Sequence, residues 1–118
     1  MAAVRLSNAL LEAVVLPERG GSLAAFNWIG AGGPVPLMRP LAADVTAPEP
    51  NQLACYPLVP WSNRIGHGRF DFEGKTFRVA PNTVRDPYPI HGDGWLSSWR
   101  VAEHRADLLA LELDRTAG

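Results

Sequence analysis

The sequence predicts a mostly β, sandwich-like chain, and three observations carry that prediction. Glycine and proline number 11 each among 118 residues, above ordinary usage, and they fall between short apolar stretches. Within those stretches β-branched residues and period-two alternation recur, as at Val14-Val15, at Phe70 and Phe72, and at Leu109, Leu111 and Leu113. Nowhere does a 3.6-residue apolar pattern last long enough for a helix.

Taken in order, Val4–Leu6 and Leu10–Leu16 read as strands around a Ser7-Asn8-Ala9 turn. Pro17-Glu18-Arg19-Gly20-Gly21 breaks the ladder, Ser22–Ile29 forms the next strand, and Gly30-Ala31-Gly32-Gly33-Pro34 turns. Met38–Pro50 lacks any period and reads as a surface loop. Gln52–Leu58 is expected as a short buried strand, kept short or at an edge by Pro57 and Pro60. Arg69–Val79 is the clearest hairpin, with Glu73-Gly74 as its turn and Phe70, Phe72, Phe77 and Val79 as an apolar face. Ala80–Pro89 is an irregular loop. Ser98–Glu103 and Asp107–Asp114 form a closing hairpin, which places His104 in its turn.

A chain of 118 residues has room for one domain, spanning 1–118. Its apolar fraction of 47% and charged fraction of 19% are globular, not those of a disordered chain. Eleven basic against twelve acidic residues give a net charge of -1, without the basic excess or stripe of a nucleic-acid binder. The single cysteine, Cys55, excludes an internal disulfide and a cysteine-based zinc site. No apolar run approaches the roughly 20 residues of a membrane helix. The N-terminus lacks a secretory pattern, so a soluble, cytoplasmic protein without a membrane partner is expected.

Two clusters could carry chemistry. In Pro60-Trp61-Ser62-Asn63-Arg64-Ile65-Gly66-His67-Gly68, Asn63 offers donors and an acceptor and Arg64 a charged fork of donors. Side by side they suit a ligand with adjacent hydroxyls. The plainer alternative is a loop whose Asn satisfies its own backbone and whose Arg pairs with a carboxylate. Trp61 is the tryptophan best placed to border a ligand, while Trp95 and Trp99 are expected in the core. In Pro89-Ile90-His91-Gly92-Asp93-Gly94-Trp95, His91 lies among residues that allow close approach and can exchange a proton near neutral pH. A structural histidine is the competing role for His91. His67 reads as an exposed turn residue, and the three histidines lack metal-ligand spacing, so no metal is expected. Nucleophile-elbow, phosphate-loop and dinucleotide fingerprints are all absent.

The ordered set Pro57-Leu58-Val59-Pro60-Trp61-Ser62-Asn63-Arg64-Ile65, then Gly68-Arg69-Phe70-Asp71-Phe72-Glu73-Gly74, then Ile90-His91-Gly92 with Trp95 and Trp99 resembles the N-terminal part of the aldose 1-epimerases, or galactose mutarotases. Leu16-Pro17 and Gly20-Gly21 resemble the family's opening hairpins. The likeness covers essentially all of this chain but well under half of a family member. It implies an antiparallel β-sandwich with a sugar cleft, and cofactor-free interconversion of α and β anomers of a free aldohexose such as glucose or galactose. In that chemistry an acid protonates the ring oxygen, a carboxylate takes the anomeric hydroxyl proton, and the opened ring recloses on either face. Position by position, the resemblance makes Asn63 and Arg64 hydroxyl binders and His91 a catalytic and substrate-binding histidine near the anomeric carbon.

The family's proton-donating histidine, in a downstream His-x-Tyr-Phe-Asn-like motif, has no counterpart in these residues, nor do its later Asp and general-base Glu. Glu103, Glu112 and Asp114 stand in the wrong context to replace them. The expectation is therefore half a site, in a chain representing an N-terminal portion. A non-catalytic carbohydrate-binding fragment is the alternative, and self-association through an open sheet edge a third possibility. No obvious phosphate clamp is present, which favours a free hexose over a sugar phosphate.

Overall fold

Asn8 makes the first turn: its Oδ1 accepts the backbone N–H groups of Leu10 and Leu11, each at 2.8 Å. That turn joins β1 (Val4–Ser7) to β2 (Leu11–Leu16) in a computed structural model that describes residues 2–115. Met1 and residues 116–118 lie outside the described residues. Together with β3 (Ser22–Gly30) and β4 (Gly33–Pro36) these strands form an antiparallel sheet in the order β1-β2-β3-β4. Two separate hairpins follow, β5 (Arg69–Phe72) with β6 (Lys75–Arg78), and β7 (Arg100–Arg105) with β8 (Leu108–Glu112). The described regular structure is strands and short 3-10 turns, so the all-β class holds.

The core lies under the four-stranded sheet, where Leu16, Ala24 and Leu53 pack together with Val14 and Leu41 against them. It is small. Every residue of β5, β6 and β7 is exposed. The Cα radius of gyration is 16.9 Å, against about 13–14 Å for a compact chain of this length. The apolar hairpin face anticipated at Phe70, Phe72 and Phe77 is present, with Phe70 stacked on Phe77 at 5.2 Å, yet within the described residues nothing covers it.

Three expectations need correction. Gln52–Leu58 is not a strand: Pro50–Gln52 is a 3-10 turn, closed by the Glu49 N–H donating to Gln52 Oε1 at 2.8 Å. Only Cys55 of that stretch bridges β3, accepting the Leu23 N–H at 2.8 Å, while Leu53 drops into the core. The turn after β3 is tighter than expected. Gly30 pairs with Gly33, and Pro34 and Pro36 sit in β4, an edge strand whose outer side needs no N–H donors. His104 lies inside β7, not in a turn: Arg105 pairs with Leu108, leaving Ala106-Asp107 as a two-residue turn. A register shift between Val101 and Glu103 adds the residue that moves the turn along.

One junction ties the sheet to the loops that follow. Pro17–Arg19 forms a 3-10 turn ended by Gly20 at φ 72°, where a Cβ would lie 2.3 Å from the Trp95 carbonyl oxygen. The bare glycine lets the 94–99 segment dock, and Gly20 N–H to Ser97 O (2.8 Å) and Trp99 N–H to Pro17 O (2.9 Å) hold it there.

Candidate functional site

Two loops far apart in sequence run side by side and build the site. Residues 59–65 and 89–95 form an irregular ladder: Gly94 N–H donates to Val59 O (3.1 Å), His91 N–H to Asn63 O (2.9 Å), and Ile65 N–H to Pro89 O (3.0 Å). Gly92 makes the close approach possible, because at φ 65° its Cβ would stand 2.0 Å from the Val59 carbonyl oxygen. Asn63 and His91 both take left-handed backbone, φ 64° and 62°, which Asn tolerates better than most residues.

The Asn63 N–H donates to His91 Nδ1 at 2.8 Å. A nitrogen that accepts a backbone N–H carries a lone pair there, so the neutral imidazole holds its hydrogen on Nε2. Trp95 packs edge-on to the same ring at 5.8 Å and stacks with Tyr56 at 5.7 Å. Trp95 is 8% exposed and its indole N–H donates to Gly92 O at 2.8 Å, so it is both core and cleft wall.

Arg64 is held by its neighbours. Its Nε donates to Asp86 Oδ2 at 2.5 Å and its Nη1 to Asn63 Oδ1 at 3.3 Å, while Asn63 Oδ1 also accepts the Arg64 N–H at 2.9 Å. The plainer alternative for this pair, a self-satisfied Asn and an ion-paired Arg, thus describes part of its geometry. It does not exhaust the guanidinium, whose Nη2 makes no hydrogen bond within the described residues. The Asp86 carboxyl is held below its ordinary 3.8, first by the Tyr88 backbone N–H and then by Arg64, against the opposing push of burial.

An open cleft of about 480 Å³ receives these groups, lined by Arg64, His91, Tyr56, Trp95, Asn82 and Asp86 among others. Asn63 is exposed and does not line the cleft, but it contacts both Arg64 and His91. Trp61 does not line the cleft either; that wall is Trp95 and Tyr56. His67 sits in an exposed 3-10 turn, apart from the cleft, with its Nδ1 3.4 Å from the Tyr88 hydroxyl. Sequence reasoning missed Tyr56, Asn82 and Asp86. A signal existed for Asp86, since Asp-Pro opens a turn and its Oδ1 accepts the Tyr88 N–H at 3.0 Å. Among the described residues no three His, Cys, Asp or Glu side chains converge as a metal site would require.

Antiparallel sheets with an irregular, polar and aromatic cleft on paired loops make this an all-β protein, and its strands follow the fold of galactose mutarotase-like proteins. The aldose 1-epimerase family profile matches residues 2–117, and the chain belongs to that family. It is 34% identical over 101 residues to the uncharacterized protein YphB of Escherichia coli K12, a match covering 86% of this chain and 32% of YphB. Among solved structures it is similar to a candidate aldose 1-epimerase from Escherichia coli K12, with a TM-score of 0.80 and 33% identity over 93% of this chain and 35% of that one. It is also similar to a galactose mutarotase-like protein from Clostridium acetobutylicum, with a TM-score of 0.68 and 25% identity over 90% of this chain and 32% of that one. The GalM/aldose epimerase homologue of Caenorhabditis elegans, at 20% identity and a TM-score of 0.65 over 95% of this chain and 35% of that one, shares the fold. The chain spans about a third of the length of these relatives.

Proposed function

We propose that this chain supplies the sugar-holding part of a cytoplasmic aldose 1-epimerase that interconverts the α and β anomers of a free aldohexose, such as glucose or galactose, without a cofactor. The observation that carries the reading is the convergence of Arg64 and His91 on one cleft, joined through Asn63. Arg64 offers its remaining guanidinium hydrogens to neighbouring hydroxyls. His91 offers Nε2–H near the anomeric carbon. Tyr56 and Trp95 give the apolar wall on which a flat sugar face packs. Because Asp86 already neutralises Arg64, the cleft suits a neutral polyol better than a phosphorylated sugar.

A specific observation favours a second reading for the chain by itself. The two carboxylates lining the cleft, Glu49 and Asp86, are each bound by an arginine, Arg85 at 2.6 Å and Arg64 at 2.5 Å. Each spends one carboxylate oxygen on a guanidinium rather than standing alone over the cleft. The acid and base of the reaction are therefore expected outside the described residues, and on its own the chain binds carbohydrate without turning it over. Self-association through exposed sheet edges and faces belongs to the same proposal.

Titration of D-galactose and D-glucose into the 15N-labelled chain tests the reading. Saturable shifts at the Arg64 and His91 amides are expected, with polarimetry of fresh α-D-glucose showing little acceleration over buffer. No shift up to about 100 mM sugar, weaker than any useful site, would remove these residues from sugar binding.

A further inference from the structure

The loop after β6 holds a side chain that the proposed site does not yet use. Asn82 is half-buried, and its amide is committed to the backbone on both sides of His91. Its Nδ2 donates one hydrogen to Ile90 O at 2.8 Å and the other to Gly92 O at 2.7 Å, while its Oδ1 accepts the Ile90 N–H at 2.9 Å. The orientation of that amide is not interchangeable, because a flipped group would set its oxygen against two carbonyls.

Between those two anchored carbonyls sits His91 in left-handed backbone at φ 62°, a conformation that a residue with a Cβ resists. The geometry that makes the imidazole useful depends on that backbone. Only there does His91 N–H meet Asn63 O while Nδ1 meets the Asn63 N–H. Asn82 has no amide hydrogen left for a ligand, although it borders the cleft. What it does for the cleft it does through His91.

We infer that Asn82 is a positioning residue: by tying Ile90 O, Ile90 N–H and Gly92 O together it holds His91 with Nδ1 on the Asn63 N–H and Nε2–H presented to the cleft. The sugar it serves rests on the proposed function above, but the positioning itself does not. Asn82→Asp is the sharpest substitution, since it preserves shape and the acceptor yet turns both donors into a carboxylate facing two carbonyl oxygens.

Long-range 1H–15N correlation on the 118-residue chain reads the proton position on each histidine ring. In the unmodified chain, His91 is expected as the Nε2–H tautomer alone. Asn82→Ala and Asn82→Asp should move its two nitrogens toward averaged values and weaken galactose binding about tenfold, the effect of one lost oriented hydrogen bond. Asn27→Ala, which removes a comparable amide bonded to Glu12 at 2.9 Å in the sheet, should change neither. An Nδ1–H ring in the unmodified chain overturns the inference without any variant. So does a folded Asn82→Asp chain that retains the Nε2–H tautomer. Tautomer loss in a chain that binds no sugar sinks the sugar reading and leaves the positioning standing. Normal sugar binding with an unmoved tautomer does the reverse.

Discussion

Asn63 and His91, 28 residues apart, hold each other by two backbone-anchored hydrogen bonds, His91 N–H to Asn63 O and Asn63 N–H to His91 Nδ1. Both residues adopt left-handed backbone. Two loops that could each wander are thereby locked at their functional residues, and the charge of Arg64 is placed one residue from the clasp. Pre-organisation of this kind lowers the ordering cost of binding a small polar ligand.

The clasp separates the backbone role of Asn63 from its side-chain role. Asn63→Gly should leave folding stability within about 1 kcal/mol, because glycine adopts φ 64° freely and keeps the N–H that Nδ1 accepts. Asn63→Val should cost about 2 kcal/mol, since a β-branched residue resists that conformation. Urea midpoints of the two variants measure the difference. Equal midpoints would mean that the left-handed turn is not maintained in solution.

Arg64→Lys should weaken sugar binding about tenfold although the charge is kept. In the structure Nε serves Asp86 and Nη1 serves Asn63, leaving Nη2 for a ligand. An ammonium is a compact donor that cannot span those three directions at once. Calorimetric or NMR titration with galactose checks this, and an unchanged affinity would take Arg64 out of the site.

Much of the fold was legible because local chemistry decides it. Asn8, the Pro17–Gly21 break and Gly74 mark turns that their residues favour, and the strands between them follow from alternation. Likewise Asn63, Arg64 and His91 stood out as an ordered motif. The join between residues 59–65 and 89–95 was not legible, for it is a ladder of irregular backbone with no periodicity to signal it. β4 was hidden by Pro34 and Pro36, which an outer edge tolerates. Tyr56 and Asn82 lie in loops where neither apolar pattern nor spacing marks one residue above another, and the Asp-Pro signal at Asp86 marks a turn without showing that its carboxylate meets Arg64. Their importance comes from what they touch.

The Asp86 carboxyl gives the site a pH signature. Its value is below the ordinary 3.8 in the fold, through the Tyr88 N–H foremost and then Arg64. Between the folded and unfolded values the unfolded chain binds more protons, so the contribution is complete above 3.8 and is lost as the pH falls through the lowered folded value. Melting temperatures recorded from pH 6 down to pH 2.5 should therefore drop less steeply in Asp86→Asn than in the unmodified chain. Parallel curves for the two proteins would show that Asp86 is not held by these partners.

Gly92 should be intolerant of even one methyl group. Its Cβ would meet Val59 O at 2.0 Å in backbone with φ 65°, and both strands of the loop ladder are fixed there. Gly92→Ala is expected to cost at least about 3 kcal/mol and to remove sugar binding. Gly32→Ala, where a Cβ meets nothing within 4 Å, is the matched control and should stay within about 0.5 kcal/mol. Chemical denaturation of both gives the comparison, and equal midpoints would contradict the close approach of the two loops.

The isolated chain should associate. Phe70 and Phe77 are cross-strand partners, and Phe72 lies two residues along β5, so all three project from one face of the hairpin. Their exposures are 44%, 41% and 60%, whereas such rings are ordinarily among the most buried groups of a fold. The opposite face, Arg69, Asp71, Thr76 and Arg78, is polar, so the hairpin is patterned for a cover on one side only. Lys75 at the end of the pair gives little protection against edge or face pairing. Light scattering at increasing concentration should show growth beyond the monomer, and dyes that fluoresce on apolar surface should bind. Replacing Phe70 and Phe77 together by Ser should reduce both effects at some cost in melting temperature, because more than half of each residue is shielded in the monomer and the two rings stack. A monodisperse monomer with a sharp cooperative melt would show instead that the hairpin folds back onto the chain and closes its own core.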